Sequence, residues 1–285
     1  MTELSENFIN GVYEGERALF NISNKSISYC TFQNGESPLK ESSDLVLYET
    51  SFKWKYPLWY CNNVDLKNCY MLDGARAGIW YTNNLKAKNL AVRAPKAFRR
   101  CDSLLLEDVS FYNAEETLWF CTNVTLKNVK ANGRYFGMGC KNIVADNIEI
   151  VDDYAFDGAC NVIVKNSRIL SKDAFWNTQD VVVENSYIVG EYLAWNAKNI
   201  TFKNCIIESL QGLCYIDNLK LVGCRLENTT LSFEYSTDID AEVINVIDSV
   251  KNPISGVIKA KGIKELILDK DKIDVSKTRI ITEAN

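Results

Sequence analysis

The chain contains no histidine. That absence excludes Ser-His-Asp triads, Cys-His dyads and histidine-ligated zinc. It has no run of 18 apolar residues, so no membrane-spanning helix and no membrane partner are expected. Its first residues, Met1-Thr-Glu-Leu-Ser-Glu-Asn7, lack the basic end and apolar stretch of a secretory signal. A cytoplasmic location is therefore expected. No excess of positive charge exists either. The formal net charge is −5, which argues against a nucleic-acid partner, because phosphate backbones need clustered cations. Nor does any stretch keep a 3.6-residue apolar period, so long helices are not expected.

What is there is a repeat. Asn63-Val64-Asp65-Leu66-Lys67-Asn68-Cys69 returns as Asn123-Val124-Thr125-Leu126-Lys127-Asn128-Val129. It returns again as Asn161-Val162-Ile163-Val164-Lys165-Asn166-Ser167 and Asn199-Ile200-Thr201-Phe202-Lys203-Asn204-Cys205. Taking the first apolar residue as an anchor, the anchors are Leu45, Val64, Leu85, Leu104, Val124, Ile143, Val162, Val181, Ile200, Leu219 and Ile239. Their spacings are 19, 21, 19, 20, 19, 19, 19, 19, 19 and 20 residues. A fixed period of this size is the mark of a solenoid.

Each period holds three stretches of period-two alternation, the signature of half-buried strands. The first buries the anchor and the residue two later. The second buries positions five and seven after the anchor, as in Cys69 and Met71 or Cys205 and Ile207. The third sits six before the anchor: Leu58, Ile79, Phe98, Leu118, Phe156, Phe175 and Leu213. Asparagines recur four after the anchor (Asn68, Asn89, Asn128, Asn147, Asn166, Asn185, Asn204) and one before it (Asn63, Asn84, Asn123, Asn142, Asn161, Asn199, Asn218). Asparagine tolerates the left-handed backbone of a tight turn, so both columns read as turn residues. Pentapeptide helices fail, because Asp153 and Lys172 fall where that pattern needs apolar residues. Left-handed hexapeptide helices need periods of eighteen, which the spacing excludes.

The expected fold is an all-β, single-stranded right-handed parallel β-helix. It has about 11–12 coils of 19–21 residues and three parallel sheets. Its expected organisation is one domain: residues 1–20 as an N-terminal cap, 21–245 as the helix, and 246–285 as C-terminal capping or dimerisation strands. A homodimer through those last strands is thus one expected partnership. The ten cysteines fall in columns, Cys61, Cys101, Cys121 and Cys140 in one, Cys30, Cys69, Cys205 and Cys224 in another. They read as stacked buried thiols rather than bridges.

With its hydrophobic-x-hydrophobic-Lys-Asn coils, the chain resembles right-handed β-helix proteins of the pectin-lyase-like superfamily. More closely, it resembles a group of bacterial β-helix proteins defined as a domain of unknown function. The similarity covers about residues 20–280 and carries no catalytic motif. Superfamily members include pectate lyases, pectin lyases and polygalacturonases. The polygalacturonase Gly-His-Gly stretch has no counterpart here. Fold alone does not assign function.

One column stands apart. Five before each anchor, the chain reads Trp59, Trp80, Arg99, Trp119, Met138, Asp157, Trp176, Trp195 and Cys214, and the next position adds Tyr60 and Tyr81. Five of the six tryptophans lie in this column. Rings repeating along a sheet face, outside the core, form an apolar strip on which sugar rings can stack. An oligosaccharide or small sugar is the expected partner, with Trp59, Trp80, Trp119, Trp176, Trp195, Tyr60 and Tyr81 as binding residues. The competing reading has loops or a partner covering these rings, in a scaffold without catalysis.

Charges gather beside the column. For a lyase, a basic residue abstracts the proton next to a uronate carboxylate and a cation or arginine neutralises that carboxylate; Arg99 or Arg100 would serve, with Asp153 and Asp157 holding a cation such as calcium. No other cofactor or metal is expected. For a hydrolase, Glu116 and Asp157, two coils apart at about 9.6 Å, approach the separation of an inverting pair.

Overall fold

A computed structural model describes residues 6–283. The chain divides into two compact units, Met1–Val144 and Ala145–Asn285. Each is a parallel β-solenoid of the right-handed type.

In the first unit the anchors pair as the spacing requires. Leu45 lies beside Val64, Val64 beside Leu85, Leu85 beside Leu104 and Leu104 beside Val124, all in parallel register. They belong to six-residue strands, Ser43–Tyr48, Asn62–Lys67, Asn83–Lys88, Asp102–Glu107 and Thr122–Lys127, which form one long-strand wall. Two-residue strands such as Ser51–Phe52, Tyr70–Met71 and Ala91–Val92 form a second, short-strand wall. Between the walls the chain turns on asparagine. Asn63, Asn68, Asn84 and Asn89 all have φ near +50°. Their amides also link coils: the Asn84 Nδ2 donates to Asn63 Oδ1 at 2.7 Å, and the Asn89 Nδ2 to Asn68 Oδ1 at 3.0 Å. Side-chain amides thus satisfy one another along the axis while the backbone bends across it.

The interior carries the apolar columns. Phe32 and Phe52 stack at 5.1 Å with an 8° interplanar angle, and both are fully buried. Beside them run the thiols. All ten cysteines are free, and nine are buried. Their position follows a left-handed turn residue, where the side chain caps backbone carbonyls. The Cys61 thiol donates to Leu39 O at 3.1 Å; in the next coil Thr82 does the same to Leu58 O at 2.9 Å. Sulfur and hydroxyl are interchangeable there because the turn needs a small donor. Burial pushes the Cys69 thiol up to about 11 and the Cys61 thiol up to about 12, so these groups stay protonated.

The second unit repeats the plan. Val162 lies beside Val181, Val181 beside Ile200 and Ile200 beside Leu219. The 14-residue strand Asp217–Thr230 runs through both walls without a break. Strands Ile239–Val243, Gly256–Ala260 and Thr278–Thr282 continue the long-strand wall in parallel.

Two differences from expectation have physical causes. The turns number about 15 rather than 11–12. Glu6–Ile9 and Val12–Tyr13 already form a coil, paired in parallel with Ser23–Ser28 and Thr31–Phe32. The strands after residue 239 do likewise. In these coils Glu6, Gly256 and Thr278 stand where the repeat has its apolar anchor, so the apolar repeat does not announce them. Residues 1–5 of the expected cap and 284–285 of the expected terminal strands lie outside the described residues.

The third side is not a full sheet. Leu58–Trp59 pairs with Ile79–Trp80, and Trp80, Arg99 and Trp119 are joined by single bridges. In the second unit this side consists of turns from Tyr154 to Tyr215, and Ser232 is bridged to Val250 further on. The reason is alternating left-handed backbone: Phe98 and Arg100, Leu118 and Phe120, Phe175 and Asn177 all have φ between 49° and 58°. Extended strands cannot carry such residues, yet hydrogen bonds still run between coils. The Phe175 N–H donates to Ala155 O at 2.8 Å and the Asn177 N–H to Trp195 O at 2.9 Å.

Candidate functional site

The third side carries the ring column, and its turn geometry decides which rings meet solvent. In the first unit Trp59, Trp80 and Trp119 stand outside the core but are half-buried. Each indole is tied to the loop of the coil above. The Trp59 Nε1 donates to Ala77 O at 2.6 Å, Trp80 Nε1 to Lys96 O at 2.9 Å, and Trp119 Nε1 to Tyr135 O at 2.9 Å. The loops fold over the indole edges, so these rings form a fixed layer.

The residue after each indole adopts the left-handed turn and swings its side chain into solvent. Tyr60 is 46% exposed, Tyr81 37% and Phe120 47%. Tyr60 and Tyr81 are parallel within 2° at a centroid distance of 4.8 Å, and Trp59 and Trp80 behind them are parallel within 6° at 4.9 Å. Rings in face contact lie about 3.5–4.0 Å apart. The Tyr60–Tyr81 separation therefore means that the phenols are slipped sideways by about 3 Å, so neither fully covers the other; Lys40 Nζ lies over the Tyr60 ring, 5.6 Å from its centroid. The exposed surface is a tyrosine staircase on an indole backing, not a flat tryptophan platform. Phe120 lies across Gly139, where an added Cβ would meet its ring at 2.5 Å.

Arg99 occupies the indole position of its coil. Its guanidinium lies 5.1 Å from the Trp80 centroid and 4.2 Å from that of Trp119, so it continues the stack as a planar cation. It also pairs with the Glu116 carboxylate and donates from Nε to Glu116 O at 3.3 Å. Lys96 Nζ reaches the same carboxylate oxygen at 3.0 Å. Partial burial works to raise the Glu116 carboxyl, but Lys96 and Arg99 outweigh it and hold it below its usual range. An ionised, doubly paired glutamate is unsuited to donating a proton, which a glycosidase acid must do. Arg100 differs from its neighbour. It is exposed, rests 5.5 Å from the Phe120 centroid, and forms no ion pair among the described residues.

In the second unit Trp195 repeats the indole tie, its Nε1 donating to Gln211 O at 2.6 Å. Trp176 Nε1 is buried without a hydrogen-bond partner among the described residues, and Tyr154 stacks on its ring at 6.2 Å. Asn177 and Asn196 replace the exposed tyrosines, and Tyr215 restores one, 5.0 Å from Trp195 and 5.6 Å from Tyr235. Asp157 is half-buried; burial pushes its carboxyl up, against an amide bond from Asn177 at 3.3 Å. The Asp153 N–H donates to Asp152 Oδ1 at 2.9 Å. Among the described residues no three His, Cys, Asp or Glu side chains come together as a metal site. Glu116 and Asp157 belong to different units.

The sequence reading missed the rings that brace the indoles. Tyr56 packs on Trp59 at 4.5 Å and Tyr192 on Trp195 at 4.8 Å. The signal was present as tyrosine three before tryptophan in both coils. It also missed Asp173, only 1% exposed, whose Oδ1 has no hydrogen-bond partner among the described residues.

Residues 6–281 match the family described as a protein of unknown function, DUF3737. The chain belongs to the DUF3737 family. No curated protein matches it. Among solved structures, this DUF3737 chain is similar to the tailspike protein of Escherichia coli bacteriophage HK620 in complex with a pentasaccharide. The identity is 10%, over 98% of this chain and 71% of that one, with a TM-score of 0.40. It is also similar to the Streptococcus pneumoniae surface protein and adhesin PfbA, at 10% identity over 96% and 88% of the two chains, with a TM-score of 0.37. In this DUF3737 chain Arg99 is paired with Glu116 on the ring side, while Tyr60, Tyr81 and Arg100 are exposed and make no contact with a carboxylate among the described residues.

Proposed function

We propose that the protein binds carbohydrate along the exposed rings of its first unit. The observation that carries this reading is the Tyr60–Tyr81 staircase: two exposed, parallel phenols on a rigid indole layer. The part-open faces suit the C–H side of a sugar ring. Neighbouring phenol hydroxyls can donate to and accept from sugar hydroxyls. Tyrosine brings this contact area at little cost in side-chain freedom, and the indole backing lowers it further. Arg100, exposed and without an ion pair, can meet an acidic substituent on the same ligand.

Binding without turnover fits this unit better than catalysis does. Arg99 and Glu116 are already engaged with each other, and neither is available to move a proton. The indole ties favour a second role for Trp59, Trp80 and Trp119, as braces of the solenoid rather than contacts to a ligand.

The test is a glycan array probed with the intact protein, followed by calorimetry on any hit. Tyr81→Ala is expected to weaken a hit by roughly tenfold or more, as loss of a central aromatic contact does. An array without a hit would defeat the reading. So would a hit whose affinity is unchanged in the Tyr60→Ala/Tyr81→Ala double variant.

A further inference from the structure

The last described strand, Thr278–Thr282, pairs in parallel with Gly256–Ala260 on one side. On its other side no described strand pairs with it. Such an edge presents a row of unused N–H and C=O groups and templates the addition of another strand. Natural edges are blunted by charge, bulges or proline. This one reads Thr-Arg-Ile-Ile-Thr, with a single charge and neither a bulge nor proline.

Apolar groups that are interior elsewhere also surface here. Ile280 lies beside fully buried Ile258 in register, yet is itself only half-buried. On the adjoining wall, Leu266 lies beside fully buried Val250 and is 46% exposed. Both occupy columns that a further coil would cover.

We propose that this edge is the docking surface for a second copy of the chain, paired antiparallel about a twofold axis at Ile280. The sequence around the axis is self-complementary. Ile280 meets the partner's Ile280, and Thr278 meets the partner's Thr282, a favourable cross-strand pair. One step further out, Lys277 meets the partner's Glu283. Lys277 and Glu283 form no ion pair among the described residues. The twofold places each contact twice, and it closes the assembly, whereas parallel head-to-tail addition would leave a free edge and grow a fibre.

Sedimentation equilibrium of the intact protein tests this. The wild type is expected to be a dimer. Glu283→Lys sets lysine opposite lysine at both ends of the pairing and is expected to weaken the dimer roughly tenfold. Lys277→Glu does the same with two glutamates, and the Lys277→Glu/Glu283→Lys double variant restores wild-type affinity. Ile280→Arg abolishes the dimer. Far-ultraviolet circular dichroism of each variant, unchanged from wild type, shows that the coils remain folded. A monomeric wild type overturns the proposal, including one whose strand edge is protected from amide exchange by its own terminal residues. Single variants that leave the dimer intact overturn it too, as does a double variant that fails to restore it.

Discussion

Arg99 and Arg100 are adjacent in sequence and opposite in role, and their truncation separates the two. Arg99 lies between the Trp80 and Trp119 rings and pairs with Glu116, with its side chain 16% exposed. Two cation–ring contacts at a partly desolvated site contribute about 0.5–2 kcal/mol each. Loss of the charged hydrogen bonds to Glu116 adds about 1.5–3 kcal/mol, reduced because Lys96 remains. Arg99→Ala is therefore expected to cost about 2–4 kcal/mol in urea unfolding followed by indole fluorescence. Arg100 has one exposed ring contact, and Arg100→Ala is expected to cost about 0.5–1 kcal/mol. Arg99→Lys keeps the charge but not the planar stack, and should fall between them at about 1–2 kcal/mol. The acid limb gives an independent reading. Glu116 sits below the usual carboxylate range, so its pairing is fully present above that range and is lost as pH falls through its lowered value. Arg99→Ala should flatten that part of the stability–pH curve. Equal costs for the two alanine variants, or an Arg99→Lys variant as stable as wild type, would refute the sandwich.

Two further outcomes test the turns and the buried carboxyl. Asn84→Ala places a Cβ-bearing residue without amide support at φ 51°, and should cost about 1–2 kcal/mol beyond the lost bond to Asn63. Asn84→Gly loses only the bond, so thermal unfolding should rank glycine above alanine; the reverse order contradicts the turn assignment. Burial raises the Asp173 carboxyl, against Lys172 and the Tyr154 hydroxyl. Its charged form therefore costs stability at neutral pH, a penalty absent below the ordinary carboxylate range and growing as pH rises through the raised value. Asp173→Asn is expected to unfold at higher urea than wild type at pH 7, with the gap closing towards acid; a less stable variant at pH 7 contradicts this.

The fold was legible because the repeat encodes it several times over. Val64, Leu85 and Leu104 predict their own pairing, and the asparagines at +4 and −1 mark the two turns that frame each long strand. Terminal coils were hidden because pairing needs only backbone: Glu6 and Thr278 occupy the anchor position of their coils, where the repeat reads an apolar residue. The site was half legible. Composition placed the rings on one side, but the direction of a ring depends on backbone φ one residue later. The left-handed turn at Tyr60 and Tyr81 leaves these two candidates exposed, while Trp59 and Trp80 beside them are half-buried. The Arg99–Glu116 pair joins positions 17 apart, within one coil's length, and no short-range pattern distinguishes it from two solvated charges.

The 21-residue step between Val64 and Leu85 leaves the register of the long strands untouched. One extra residue inside such a strand would turn every apolar side chain to the wrong face. Evolution of this chain is thereby steered into two kinds of length change. Whole coils can be gained or lost as units, and small insertions can accumulate in the loops that overhang the indoles. Relatives that differ in recognition should accordingly carry their novelty in those overhangs, while the opposite wall stays uniform.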